Sequence, residues 1–130
     1  MNVIVHITDR SRWAAVPAGG ALRPASLATA GFVHCSVPRQ VLAVAESLFS
    51  GQAGLVLLLV DPDRLTSPVR WETVGADRYP HVYGPLDQAA VVAVLPLTAG
   101  ADGHFALPAG LTEEEISHGD GGTAGCPGRA

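Results

Sequence analysis

Two short segments of the chain concentrate the side chains that could carry out chemistry. Residues 31–36 read Gly-Phe-Val-His-Cys-Ser, and residues 78–85 read Arg-Tyr-Pro-His-Val-Tyr-Gly-Pro. They contain both tyrosines and two of the five histidines of the chain, next to prolines that restrict the backbone. Polar aromatic groups on a stiff backbone predict a site that binds or transforms a ligand. The residues themselves do not name that ligand.

His34 and Ser36 are two residues apart in a predicted strand, so their side chains project from the same face. An imidazole and a hydroxyl at this spacing can hold one ribose or phosphate group. The alternative is a core histidine that is hydrogen-bonded to the backbone, with Ser36 acting as a helix cap. Cys35 falls on the opposite face, where a buried and unreactive thiol is the simpler interpretation.

His81 and Tyr83 repeat this two-residue spacing, and Pro80 restricts the backbone before them. A tyrosine beside a histidine can stack on a flat ring and donate a hydrogen bond to it. The alternative interpretation is a turn with a structural aromatic residue. The sequence alone leaves both alternatives open.

Arg70 and Glu72 share one face of a predicted strand over residues 69–74. On a solvent-exposed face they would form an ion pair of little energetic value. On a pocket wall, Glu72 would serve as a general base or bind a ribose, and Arg70 would hold a phosphate. His6, in the first predicted strand, could face the same cleft, although a core position is the favoured interpretation.

Composition and charge exclude several classes of function. The net charge of the 130-residue chain is −4, and the acidic excess lies after residue 98, so the remainder has no basic stripe for nucleic acid. The absence of lysine excludes a Schiff-base mechanism. No closely spaced histidine pair predicts a metal site, and the two cysteines are far apart. Nucleic acid is therefore an unlikely partner, and no metal is expected.

Location follows from what the sequence lacks. No apolar run approaches the roughly 20 residues of a membrane span. The N-terminal residues show neither the basic region nor the long apolar region of a secretory signal. We therefore predict a cytoplasmic protein that does not contact a membrane.

Hydrophobic patterning predicts a single α+β domain over residues 1–98. We expect a small mixed or antiparallel sheet with one main helix after Ser36 and one short helix after Thr8. The five predicted strands cover residues 3–7, 32–35, 55–60, 69–74 and 91–97, and a turn at residues 75–77 leads into a further segment at residues 79–83. Residues 99–130 are acidic and rich in Gly and Pro, which predicts a largely disordered tail with one ordered patch at His104 and Phe105.

The order of several motifs resembles the bacterial family called domain of unknown function 952, over about residues 3–97. The segments that carry the resemblance are Trp13, 23–27, 31–36, 49–52, 57–62, 69–72 and 80–86. The blocks around His34 and His81 are the most specific. The family has been grouped with the ADP-ribosyltransferase-like superfamily, near the RNA 2′-phosphotransferases.

This resemblance implies a split β-sheet that binds NAD as a substrate. In that superfamily a His followed two residues later by Ser or Thr binds the ribose and carboxamide ends of nicotinamide riboside. His34 and Ser36 match this motif here. The resemblance further implies that His81 or Tyr83 stacks on the nicotinamide, and it makes Glu72 the candidate for the catalytic glutamate.

A phosphotransferase variant would instead hold a phosphate, for which Arg23, Arg70 and Arg78 are available. Two alternatives to an NAD-consuming enzyme remain open. One is an enzyme of the same fold that acts on another small molecule, for example in a biosynthetic tailoring step. The other is a non-catalytic module that binds a small ligand. The sequence predicts no particular protein partner.

Overall fold

The apolar run at residues 55–60 forms a strand in which every residue is buried. The computed structural model describes residues 2–108 and Leu111. Its strands are β1 (Ile4–Asp9), β2 (Ala21–Leu22), β3 (Val33–His34), β4 (Leu55–Val60), β5 (Val69–Val74), β6 (Asp77–Val82), β7 (Leu86–Asp87) and β8 (Val91–Leu97). Its α-helices are α1 (Arg10–Ala14), α2 (Ala25–Thr29) and α3 (Val41–Phe49).

The strands form two three-stranded antiparallel sheets, in the orders β1-β4-β8 and β3-β6-β5, and a short β2-β7 pair. The two larger sheets meet at one point, where Val5 and Ser36 exchange both backbone hydrogen bonds at 2.7 and 2.8 Å. This bridge is the only pairing between β1 and the β3 segment in the described part of the chain. The β-structure is therefore split beyond the bridge, which leaves one edge of β1 without a partner strand.

The sheet β1-β4-β8 buries both of its faces, as the alternation of side chains along β1 shows. Val5 and Ile7 pack with Val41 of α3 in one apolar cluster. Ile4, on the other face, packs with Val33 in a second cluster. Strand β4 lies between two other strands and has one apolar cluster on each of its faces. This is why its sequence is apolar without interruption.

The structure confirms the predicted α+β class and defines the sheets as antiparallel. Strands β4, β5 and β8 have the predicted bounds. A second short helix, α2, was not expected as a full element. Pro24 at its N-cap adopts an extended conformation, and Leu27 packs against the core from this helix. The main helix α3 begins later than expected because Pro38–Gln40 form a 3₁₀ turn before it.

The ordered chain continues past residue 98, at the patch that the sequence suggested. Ala99 and Phe105 form a β-bridge, and Phe105 is buried in the core. Its backbone N–H donates to Glu46 Oε2 of α3 at 2.6 Å. The other predicted tail positions, 109–110 and 112–130, lie outside the described residues. Among the described residues, no helix has the length and hydropathy that a membrane crossing requires.

Gly84 is packed so closely that a side chain cannot be accommodated without movement. An added Cβ would lie 2.1 Å from Ser67 Oγ and 2.7 Å from Ser67 Cβ. We expect Gly84→Ala to lower the free energy of unfolding by about 2 kcal/mol, because overpacking displaces neighbouring groups. Urea denaturation measures this loss.

Two further variants locate the origin of this effect. Ser67→Gly removes the obstructing atoms, so Gly84→Ala should cost much less in that background. Gly100→Ala is the matched control, since its Cβ would lie 3.4 Å from the nearest atom, Asp102 Oδ1. An unchanged cost of Gly84→Ala in the Ser67→Gly background would contradict the steric explanation.

Candidate functional site

Three strands place chemically active side chains in one row across the sheet β3-β6-β5. His34 of β3 pairs with His81 of β6, which pairs with Arg70 of β5. Paired residues of neighbouring strands project to the same face. Glu72 and Tyr83 lie on this face too, since both contact members of the row. The expected same-face pairs Arg70 with Glu72 and His81 with Tyr83 thus belong to one cluster together with His34.

Glu72 connects His81 to Tyr83. One carboxylate oxygen, Oε1, accepts from the Tyr83 hydroxyl at 2.7 Å and lies 2.7 Å from His81 Nδ1. The hydrogen bond from Tyr83, followed by that from His81, lowers the pKa of Glu72. An ionised carboxylate can only accept, so the proton between Glu72 and His81 resides on Nδ1. In the neutral ring, Nε2 of His81 is then the basic nitrogen.

Phe32 supports the two histidine rings. It stacks on His81 with a centroid distance of 4.1 Å and meets His34 edge-on at 4.8 Å. Arg70 covers the ring of Tyr83 from 5.0 Å. Burial, followed by the electrostatic interaction with the nearby His81 ring, lowers the pKa of His34, which favours its neutral form. Phe32 was not among the residues expected at the site, although its position two residues before His34 indicates the same face.

A cleft of about 680 Å³ lies where the two sheets separate. Its walls are α3 on one side and the β3 and β6 face on the other, with β1 between them. His34, Ser36 and His81 line the cleft, whereas Glu72, Tyr83 and Arg70 do not. The cluster therefore has two layers, with the histidines at the cleft and the Glu72 carboxylate behind His81.

His6 and Thr8 of β1 also line this cleft. For His6 this is the alternative that the sequence left open beside the favoured core position, whereas Thr8 was not selected from the sequence. His6 is 7% exposed, and its Nδ1 donates to the backbone oxygen of His34 at 2.7 Å. Burial lowers the pKa of His6 to about 4, so the ring is neutral at pH 7. The signal was present in the sequence, because His6 and Thr8 have the spacing of His34 and Ser36.

None of the three predicted phosphate ligands, Arg23, Arg70 and Arg78, lines the cleft. Arg78 donates to the backbone oxygen of Trp71 at 2.9 Å, and Arg23 is exposed in the connection before α2. In β6, Arg78 projects from the same face as the buried residues Pro80 and Val82, which is the face opposite to that of His81. Alternation within β6 therefore separates it from the histidine row.

The cleft contains few charged side chains, and those it contains are paired with each other. Besides the histidines, the charged lining residues in the described chain are Asp9 and Arg12, which form an ion pair at 3.0 Å. Cys35 also lines the cleft, and burial raises the pKa of its thiol. No group of three or more potential metal ligands occurs among residues 2–108 and 111.

Fold and site together define a small α+β protein whose two antiparallel sheets separate around a histidine-lined cleft. The chain belongs to the family described as protein of unknown function DUF952, whose model matches residues 7–94. This finding confirms the family resemblance that the sequence motifs carry. No curated protein matches the chain.

Solved structures of protein CC0527 from Caulobacter crescentus are similar to this chain. Its crystal structure has 36% sequence identity and a TM-score of 0.74, covering 82% of this chain and 95% of that chain. Its solution NMR structure has 37% identity and a TM-score of 0.68, covering 80% and 91%. The shared fold thus extends over nearly the whole of that relative.

Proposed function

We propose that the cleft binds NAD or a related ribosyl compound and that the protein cleaves the bond between the ribose and its base. One observation carries this proposal: His34, Ser36 and His81 meet at one small-molecule-sized cleft, with His81 Nδ1 held by Glu72. A volume of about 680 Å³ is typical of sites that enclose a small ligand. The resemblance to ADP-ribosyltransferase-like proteins supports the ribosyl assignment.

The arrangement supports distinct roles for the cleft residues. His34 and Ser36 supply a ring nitrogen and a hydroxyl for the ribose. His6 and Thr8 repeat this spacing at the same cleft and supply a second polar pair. Convergent polar groups in a cleft of mostly apolar walls are what orient a ligand for reaction.

His81 is suited to acid–base chemistry in this reaction. When nicotinamide leaves with the bonding electron pair, the ribose carbon becomes positively charged and is attacked by water or an acceptor hydroxyl. His81 Nε2 accepts the proton of that nucleophile, and Glu72 stabilises the resulting imidazolium from behind. Glu72 in this scheme acts through His81, in contrast to the direct role that the resemblance implies.

A second candidate function rests on the charges at the cleft. Arg12, the one arginine among its described lining residues, is already paired with Asp9, while Arg23, Arg70 and Arg78 lie elsewhere. A pyrophosphate would thus find no unpaired guanidinium there. This observation favours a substrate without phosphate groups, transformed by the same His81 and Glu72 pair in another small-molecule reaction.

The deciding experiment incubates the purified protein with NAD. Calorimetry measures binding, and chromatography measures released nicotinamide. We expect binding and release with the wild-type protein, and loss of both with His34→Ala. His104→Ala is the matched control, because His104 is exposed and pairs with Glu46 away from the cleft.

The outcomes separate the two candidates. If the His34→Ala protein still releases nicotinamide, His34 does not contribute to the reaction. If NAD neither binds nor reacts, while nicotinamide riboside does, a substrate without phosphate groups is favoured. Failure of both compounds would overturn the ribosyl assignment.

A further inference from the structure

We propose that the cleft takes an amphiphilic small molecule, whose apolar acyl or aryl group packs between Leu48 of α3 and Val74 at the end of β5. This inference deepens the proposed function and rests on it for the polar part of the ligand. The binding of its apolar group depends only on residues at the rim of the cleft. We call Leu48 and Val74 the apolar rim.

The apolar rim combines unusual exposure with a shared location. Leu48 is 61% exposed and Val74 is 54% exposed, the two highest values among the exposed large hydrophobic residues described. Both line the cleft, and they do so from different walls. Val92 and Val94 of β8, which are each 39% exposed, do not line it. Leu107, 37% exposed, does not line it either. The two most exposed apolar side chains thus share the cleft, where neighbouring exposed apolar groups mark an interaction site.

Helical spacing extends the apolar rim inward along α3. Val44 and Leu48 are four residues apart, so they lie on one face of the helix, and both line the cleft. Val44 also packs against the buried core. The wall is thus apolar from the core to the rim, and an apolar group of a ligand could follow it without desolvating a charge.

Direct contacts hold the two walls in place. Arg39, just before α3, forms an ion pair with Asp77 at the start of β6, at 3.3 Å. The buried Gln40 donates from Nε2 to the backbone oxygen of Arg78 at 2.8 Å. These contacts fix the end of the β5–β6 hairpin, which carries Val74, against the beginning of α3. The two elements that carry the apolar rim are therefore in direct contact at this end of the helix.

A small amphiphile fits this surface better than a protein partner. The apolar rim is continuous with a cleft of small-molecule volume, whose other wall carries His34 and His81. A ligand with a polar head at the histidines would extend its apolar group along α3. Each methylene removed from water contributes about 0.8 kcal/mol, which corresponds to about fourfold in affinity.

The test uses three synthetic probes and calorimetry. Methyl and hexyl β-D-ribofuranoside share the ribosyl head and differ in the tail, while hexyl β-D-glucopyranoside keeps the tail and changes the head. We expect the hexyl ribofuranoside to bind at least about tenfold more tightly than the methyl compound. Leu48→Ser and Val74→Ser should abolish most of this difference. Val92→Ser is the matched control, an exposed apolar residue away from the cleft, and should leave the difference intact.

Failure of this inference is distinguishable from failure of the proposed function. If both ribofuranosides bind equally, or if the rim variants keep the tail effect, the amphiphile is excluded while ribosyl binding stands. If only the tail effect appears, on either head, the apolar rim is supported and the ribosyl head is not. Absence of binding by all three probes overturns the inference. Sedimentation that shows a dimer broken by Leu48→Ser would assign the apolar rim to a second copy of the chain instead.

Discussion

Replacing His81 by Asn is expected to lower the rate of nicotinamide release from NAD by about a hundredfold or more. A positioned acid or base contributes about 10²–10⁴-fold to a reaction rate, and Asn cannot exchange the proton that His81 Nε2 would carry. Because the ring is 5% exposed and stacks on Phe32, the variant also needs a folding control. Urea denaturation should show cooperative unfolding of the His81→Asn protein.

Glu72→Gln tests the layer behind His81. The amide oxygen still accepts a hydrogen bond, but the negative charge is lost, so we expect kcat to fall about tenfold with KM almost unchanged. Outer-layer partners of this kind typically contribute about 10–100-fold. Tyr83→Phe removes only the neighbouring hydrogen bond to Glu72 and should have a smaller effect.

The ratio of the kinetic constants distinguishes positioning from binding. An unchanged kcat with a raised KM in Glu72→Gln would mean that the carboxylate contributes to ligand binding rather than to His81. Equal rates for wild-type and His81→Asn protein would remove His81 from the reaction. In that case the stacked rings of His81 and Phe32 would have a structural role only.

Replacing His6 by Asn is expected to remove much of the loss of stability between pH 7 and pH 5. Burial lowers the pKa of His6 from 6.5 to about 4 in the folded protein. The unfolded chain therefore takes up a proton below pH 6.5 that the folded protein takes up only near pH 4. Folding stability falls through this window, by about 2 kcal/mol between pH 7 and pH 5 for this one group.

Urea denaturation at both pH values measures this contribution. The wild-type protein should lose about 2 kcal/mol more than His6→Asn on going from pH 7 to pH 5, whatever the variant's stability at pH 7. Identical losses for wild-type and His6→Asn would show that His6 is protonated in the folded protein at pH 5.

Local periodicity predicted much of the fold correctly. Strand β4 follows from six consecutive apolar residues, and strand β5 follows from alternation that ends at a Gly-containing turn. That the segment after this turn pairs back as β6 was not predicted. The same alternation placed Arg70 with Glu72 and His81 with Tyr83. Strand β3 was shorter than predicted, because its pairing ends where Ser36 pairs with Val5 instead. That choice of partner depends on β1, a segment distant in sequence.

The sequence by itself determined which residues share a face of each strand, because side chains alternate with a period of two wherever a strand forms. It also determined the family, through the motifs around His34 and His81. Only the tertiary structure decided that the sheets separate at the Val5 and Ser36 bridge, which opens a cleft and brings His6 to it. It likewise decided that Glu72 lies behind His81, because the diagonal contact between two strands depends on their register, which no single segment encodes.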